Sequence, residues 1–134
     1  MPKGVFQIPY PTNEPIFDYA PGSDEREKLQ VTLERMLNQE PVNVPMYIGS
    51  EEVYTNDNRD LTPPFDHSKK VGQSNFGKKE HVQKAIDSAL AARKNWAELP
   101  WEQRASIFLK AADLIAGPYR YEMNAATMVA QSKN

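Results

Sequence analysis

The chain has 134 residues, 40% of them hydrophobic and 25% charged, and a mean hydropathy of −0.69. That length suits one domain and buries roughly two-thirds of its unfolded surface when it closes a core. It holds no cysteine and two histidines, which excludes disulfides, thiolate metal sites, a cysteine nucleophile and a multi-histidine metal centre. Its net charge of −2 argues against a phosphate-binding surface, and no apolar run approaches a membrane span.

The first residues, MPKGVFQIPYP, lack the long apolar centre of a secretory signal and the arginine-rich pattern of a transit peptide. A cytoplasmic protein is expected, or one of the mitochondrial matrix if the source is eukaryotic. Charge and proline usage change near Gly77. Up to that residue 12 acidic side chains face 7 basic ones, and after it 6 face 9. Nine of the 11 prolines lie at or before Pro64. The expected organisation is an extended proline-rich arm over 1–22, a helix with short β-hairpins over 23–77 and a helical segment over 78–134. All three are expected to be parts of one incomplete domain.

The arm carries Pro2, Pro9, Pro11, Pro15 and Pro21, which fits neither a helix nor a central strand. Phe6, Ile8, Tyr10, Ile16, Phe17 and Tyr19 make it too apolar for a free tail. It is expected to lie on its own domain or along a partner subunit. Ser23 is placed to cap a helix, with Asp24 and Glu25 in the first turn. Leu29, Leu33, Met36 and Leu37 follow at helical spacing, and Pro41 stops the pattern. Val44 to Ile48, the Gly49-Ser50 turn and Val53-Tyr54 read as a hairpin, with Pro45 at an edge. Asn56 to Pro64 reads as turns, and Val71 to Phe76 as another short strand.

From Lys78 to Trp96, an apolar stripe of Val82, Ala85, Ile86, Ala89, Leu90 and Trp96 predicts an amphipathic helix. Pro100 suits the first turn of the next helix. There, Ala105, Phe108, Ala112 and Ile115 form one stripe, and Ile107, Ala111 and Leu114 a second beside it. A face that wide implies cover on more than one side. Gly117-Pro118 ends the helix, and a last helical pattern starts near Tyr119. These faces do not close on one another, so the sequence reads as the opening part of a larger domain.

Chemistry is sparse. Gly72 to Gly77 has two glycines and suits a turn rather than a phosphate cradle. Asp66-His67 and Glu51-Glu52 pair by type but read as solvated surface, as does His81. Trp96 and Trp101 bracket a helical corner and are expected to pack as core.

Longer stretches carry a resemblance. Lys84 to Trp96 and Trp101 to Asp113 are similar to the first long helices of the aldehyde dehydrogenase superfamily. Ala112 to Arg120 and Ala126 to Asn134 resemble its 1-pyrroline-5-carboxylate dehydrogenase branch. So do Asn13-Glu14-Pro15, Gly22 to Arg26, the hairpin from Pro45 to Val53 and Pro64 to His67. This resemblance implies an α/β fold, here the N-terminal part of an aldehyde-dehydrogenase-like NAD-binding domain, mainly helices plus short β-hairpins. It implies a parent enzyme that oxidises L-glutamate γ-semialdehyde to glutamate in proline degradation, with NAD as cofactor. The family's cysteine, general-base glutamate and NAD-holding residues are expected beyond the position of Asn134. The catalytic, cofactor-binding and metal residues expected within this chain are therefore none, and the segment alone is expected to be inactive. The expected partners are the rest of the parent chain or a partner subunit, in a homo-oligomer, without nucleic acid or membrane. A non-catalytic interaction protein derived from that enzyme and an unrelated small helical domain are the competing readings.

Overall fold

The computed structural model describes residues 10–133. Among them, four helices and five short strands follow in the order α1 (Asp24–Asn38), β1 (Val42–Val44), β2 (Met46–Ile48), β3 (Glu51–Val53), β4 (Asn58–Leu61), β5 (Gly72–Asn75), α2 (Lys79–Glu98), α3 (Trp101–Ala116) and α4 (Arg120–Gln131). Helices and strands thus mix as the α/β expectation requires. Phe6 and Ile8 of the expected arm, with Pro2 and Pro9, lie outside the described residues.

Local chemistry sets the helix starts. The Ser23 hydroxyl accepts from the Arg26 N–H at 3.4 Å, and Asp24, Glu25 and Glu27 place negative charge in the first turn of α1. Pro100 is the residue immediately before α3. At the head of α2 the Lys78 N–H donates to His81 Nδ1 at 2.9 Å. His81 thus satisfies a donor that the helix itself leaves open, a role its surface position in the sequence does not announce.

Two small sheets lie between α1 and α2. β1, β5 and β4 form one, with β5 in the middle, parallel to β1 and antiparallel to β4. β2 and β3 form a separate antiparallel hairpin. The expected strand from Val44 to Ile48 is therefore two strands in two sheets. Pro45 divides them because it has no N–H to continue a ladder. β4 occupies part of the stretch read as turns. Its sequence, Asn-Arg-Asp-Leu, has no apolar alternation, and pairing with β5 supplies the order that its side chains do not. The Asn75 amide ties the sheet to its surroundings. Its nitrogen donates to Asn43 Oδ1 at 2.7 Å and to the Val44 carbonyl at 2.9 Å, and its oxygen accepts from the Thr55 N–H at 2.8 Å. Gly72 permits the β1–β5 approach, since a Cβ there would meet the Val42 carbonyl at 2.9 Å.

The buried apolar side chains among the described residues are Ile48, Pro63, Ala125 and Val129. Ala125 and Val129 lie on α4, which packs against α1. The Leu29, Leu33, Met36 and Leu37 stripe of α1 is half-buried, and Arg35 pairs with Glu122 of α4 at 2.6 Å. By contrast, α2 and α3 bury no side chain below the surface. Val82, Ile86 and Leu90 on α2, and Ile107, Phe108 and Ile115 on α3, stand in the open. α2 meets the hairpin and α3 meets α4. The wide apolar faces legible in the sequence are real and remain uncovered. Trp96 and Trp101, expected as core, are 41% and 51% exposed.

The hairpin turn has glycine first, with Gly49 at φ +65°, the arrangement that a two-residue loop with a leading glycine uses. A Cβ at Gly49 would also come within 2.7 Å of Ser88 Oγ on α2. Gly49→Ala is expected to lower stability by about 1–2 kcal/mol through the left-handed backbone alone, plus the collision. Adding Ser88→Ala relieves the collision and leaves the strain, so thermal denaturation of the double variant should recover part of the loss. Full recovery would mean that the backbone at Gly49 is unstrained.

Candidate functional site

A groove of about 610 Å³ lies between the end of α1, the three-stranded sheet and α4. Met36, Val42, Leu61, Phe76, Ala126 and Val129 give it apolar walls, and Arg59, Asp60 and Ser74 stand on its sheet side. Two of the sheet's polar side chains are paired nearby. Lys70 bonds Asp60 at 2.5 Å, and Gln73 donates to Asn58 Oδ1 at 2.7 Å. The groove is walled chiefly by apolar side chains.

The polar pairs singled out by type do not converge there. Glu51 and Glu52 sit on β3 with separate partners. Glu51 accepts from Lys84 Nζ on α2 at 2.5 Å, and this bond, then the ammonium charge, holds its carboxyl below the usual carboxylate range. Glu52 accepts from the hydroxyls of Tyr47 and Tyr54, both at 2.9 Å. Those bonds hold the phenolic protons and raise both tyrosines above their ordinary value. Asp66 accepts from the Ser68 hydroxyl at 2.6 Å and from its N–H at 3.1 Å, which lowers the Asp66 carboxyl. That is a turn-closing arrangement, and His67 beside it is exposed. These shifts belong to exposed structural contacts. Shifted groups mark an active site when they converge in a cleft, and these do not.

Covalent catalysis needs an activated nucleophile, and a sequence without cysteine supplies no thiolate for it. Among the described residues no group of three His, Cys, Asp or Glu side chains is placed to hold a metal ion, and no polar or charged residue is buried. A dinucleotide is typically seated on a glycine-rich turn whose backbone N–H groups face the pyrophosphate at a helix start. Here Gly72 opens strand β5, and His81 already occupies the N–H at the head of α2. The residues present do not fit a dinucleotide. Sequence reading missed Arg120 and Asn75, because an arginine after Gly-Pro-Tyr and an asparagine in a polar strand carry no periodic signal.

The Glu51–Lys84 bond ties the hairpin to α2 and carries a pH signature. A carboxyl depressed in the folded state adds stability above its unfolded value, and that contribution is lost as pH falls through the depressed value. NMR titration should place the Glu51 midpoint below that of an ordinary glutamate and return it to the ordinary range in Lys84→Met. An unchanged midpoint in that variant would show that the bond is not formed.

The sequence profile described as "Aldehyde dehydrogenase family" matches residues 53–133. The chain is 47% identical over 130 residues to the delta-1-pyrroline-5-carboxylate dehydrogenase of Agaricus bisporus, covering 97% of this chain and 24% of that protein. It is 45% identical over 122 residues to the mitochondrial delta-1-pyrroline-5-carboxylate dehydrogenase of Mus musculus, covering 91% of this chain and 22% of that one. The crystal structure of the Mycobacterium tuberculosis delta-pyrroline-5-carboxylate dehydrogenase superposes with a TM-score of 0.89 at 36% identity, over 95% of this chain and 24% of that one. A structure of the same enzyme bound with NAD superposes equally well. This chain thus spans about a quarter of the length of the relatives it matches, and its four helices and short strands match the N-terminal region of the fold. It belongs to the aldehyde dehydrogenase family and is similar, over nearly its whole length, to the delta-1-pyrroline-5-carboxylate dehydrogenases.

Proposed function

We propose that this chain is the N-terminal part of an NAD-dependent dehydrogenase that oxidises L-glutamate γ-semialdehyde, the open form of 1-pyrroline-5-carboxylate, to glutamate in proline degradation. The observation that supports it most is the 47% identity to a delta-1-pyrroline-5-carboxylate dehydrogenase across 97% of the chain. In this reading the nucleophile, the general base and the NAD seat come from the remainder of the protein, where NAD accepts the hydride. The described residues are given structural work and no step of the reaction.

The partner that this reading assigns first is the rest of the same chain. The open stripes of α2 and α3 are too apolar to be left in water across a whole helix face, and the relatives are about four times as long. The three stretches 1–22, 23–77 and 78–134 are then parts of one incomplete domain. The compartment proposed is the cytoplasm, or the mitochondrial matrix, as the names of the mouse and Emericella nidulans relatives state for those proteins. No described helix is long and apolar enough to cross a membrane. The open faces of α2 and α3 also support a second reading, a non-catalytic interaction protein derived from such an enzyme, in which a partner chain covers them.

The two readings differ in one assay. The full-length protein, mixed with 1-pyrroline-5-carboxylate and NAD, should produce NADH at 340 nm, and residues 1–134 alone should produce none. A full-length protein that binds a partner chain yet forms no NADH would favour the interaction reading and overturn the dehydrogenase one.

A further inference from the structure

Arg120 opens α4, yet its side chain is 11% exposed. Four groups surround its guanidinium. Nε donates to the Ala116 carbonyl at 2.9 Å, and Nη1 donates to the Pro15 carbonyl at 3.0 Å. Nη2 lies 3.4 Å from the Glu14 carboxylate, and the guanidinium carbon stands 4.5 Å from the centre of the Phe17 ring. Three of these four groups belong to the arm. A planar fork of donors with a stacking face meets a carbonyl, a carboxylate and a ring at once, which a lysine ammonium cannot do.

The contacts continue along the arm. Phe17 meets Tyr19 edge-on at 6.3 Å. The Tyr19 hydroxyl accepts from Asn124 of α4 at 2.9 Å, and its carbonyl accepts from Arg26 of α1 at 3.2 Å. Tyr19 is held at φ +50°, a conformation that a non-glycine residue keeps only where its surroundings enforce it. The Ser23 N–H then donates to the Ala20 carbonyl at 3.0 Å, so the arm turns directly into the cap of α1.

We infer that residues 14–19 are a strap fastened within the same subunit, and that Arg120 is the positioning residue that fastens it. The strap crosses from the start of α4 to the start of α1 and fixes how the chain enters that helix pair. Its contacts are mostly polar, with Phe17 and Tyr19 as the rings it lays down, and Ile16 points outward at 93% exposure. Releasing the strap uncovers those two rings and no larger apolar core, so it detaches as a local unit rather than with the whole fold. This inference stands on geometry alone and does not depend on the dehydrogenase reading.

Limited chymotrypsin digestion of the full-length protein tests it. The sites are Phe17-Asp18 and Tyr19-Ala20 in the strap, with Phe65-Asp66 in an exposed turn as the internal reference. The strap sites should be protected in the parent protein. In Arg120→Ala and Arg120→Lys, the rate at Tyr19-Ala20 relative to Phe65-Asp66 should rise by roughly tenfold or more, as expected when charge-assisted hydrogen bonds are lost. Phe17→Ala changes the arm and leaves α4 intact, so it decides the matter if the Arg120 variants do not fold. It too should raise the relative rate at Tyr19-Ala20. A relative rate in Phe17→Ala equal to the parent's would overturn the strap. Protection in the parent that disappears when the protein is diluted to monomer would overturn fastening within one subunit and assign the arm to a second copy.

Discussion

The pairing of α1 with α4 is the contact on which the other elements hang. Ala125 and Val129 are buried between these helices, and Ala125 is small enough to let them approach. The half-buried α1 stripe of Leu29, Leu33, Met36 and Leu37 meets them from the other side. The first and last helices of the described chain therefore close on each other and enclose the connecting elements in one long loop. The ion pair Arg35–Glu122 fixes the rim of this contact. Being exposed, it adds register more than energy. The three-stranded sheet lies across the end of the pair, and the apolar groove opens where the sheet, α1 and α4 meet.

Away from that contact, the chain is held by directional bonds rather than by burial. α2 is positioned by Glu51–Lys84, by the close approach of Gly49 to Ser88 and by the Ile48 side chain. α3 leans on α4. Neither helix buries a side chain of its own. A 20-residue helix and a 16-residue helix with open apolar stripes have little tertiary support, only the first of them carrying a side-chain cap, and most helical stability in proteins comes from packing of the apolar face. A reaction centre needs side chains held in a water-excluded cleft by packed neighbours, and the described residues bury no charged or polar side chain.

Much of this was legible in the sequence, and the failures have physical causes. Helix positions followed from periodicity, from Ser23 as a cap and from Pro41, Pro100 and Gly117 as breaks, because those signals act within a few residues. The width of the α2 and α3 stripes was readable, whereas the cover that α4 finds on α1 was not. The division at Pro45 was harder to read, because a short apolar run does not disclose which sheet each half joins. β4 was invisible because its order comes from β5, which lies beyond an intervening loop, and not from its own polar side chains. Trp96 and Trp101 read as core because large aromatics at a helical corner usually are, and here both stay about half exposed. Arg120 could not be found by pattern, since its partners at Glu14, Pro15 and Phe17 are about a hundred positions away in the sequence. Composition settles one point only: a sequence without cysteine cannot supply a thiolate nucleophile from these residues.

The central claim is that α1 and α4 form a self-sufficient contact while α2 and α3 depend on chain or partner surface beyond these residues. Amide hydrogen exchange, compared residue by residue between the isolated 1–134 segment and the full-length protein, tests it most directly. The account predicts that in the isolated segment α1 and α4 retain protection while α2 and α3 exchange close to the rate of an open chain, and that all four are protected in the full-length protein. Protection of α2 and α3 in the isolated segment equal to that of α1 and α4 would contradict it.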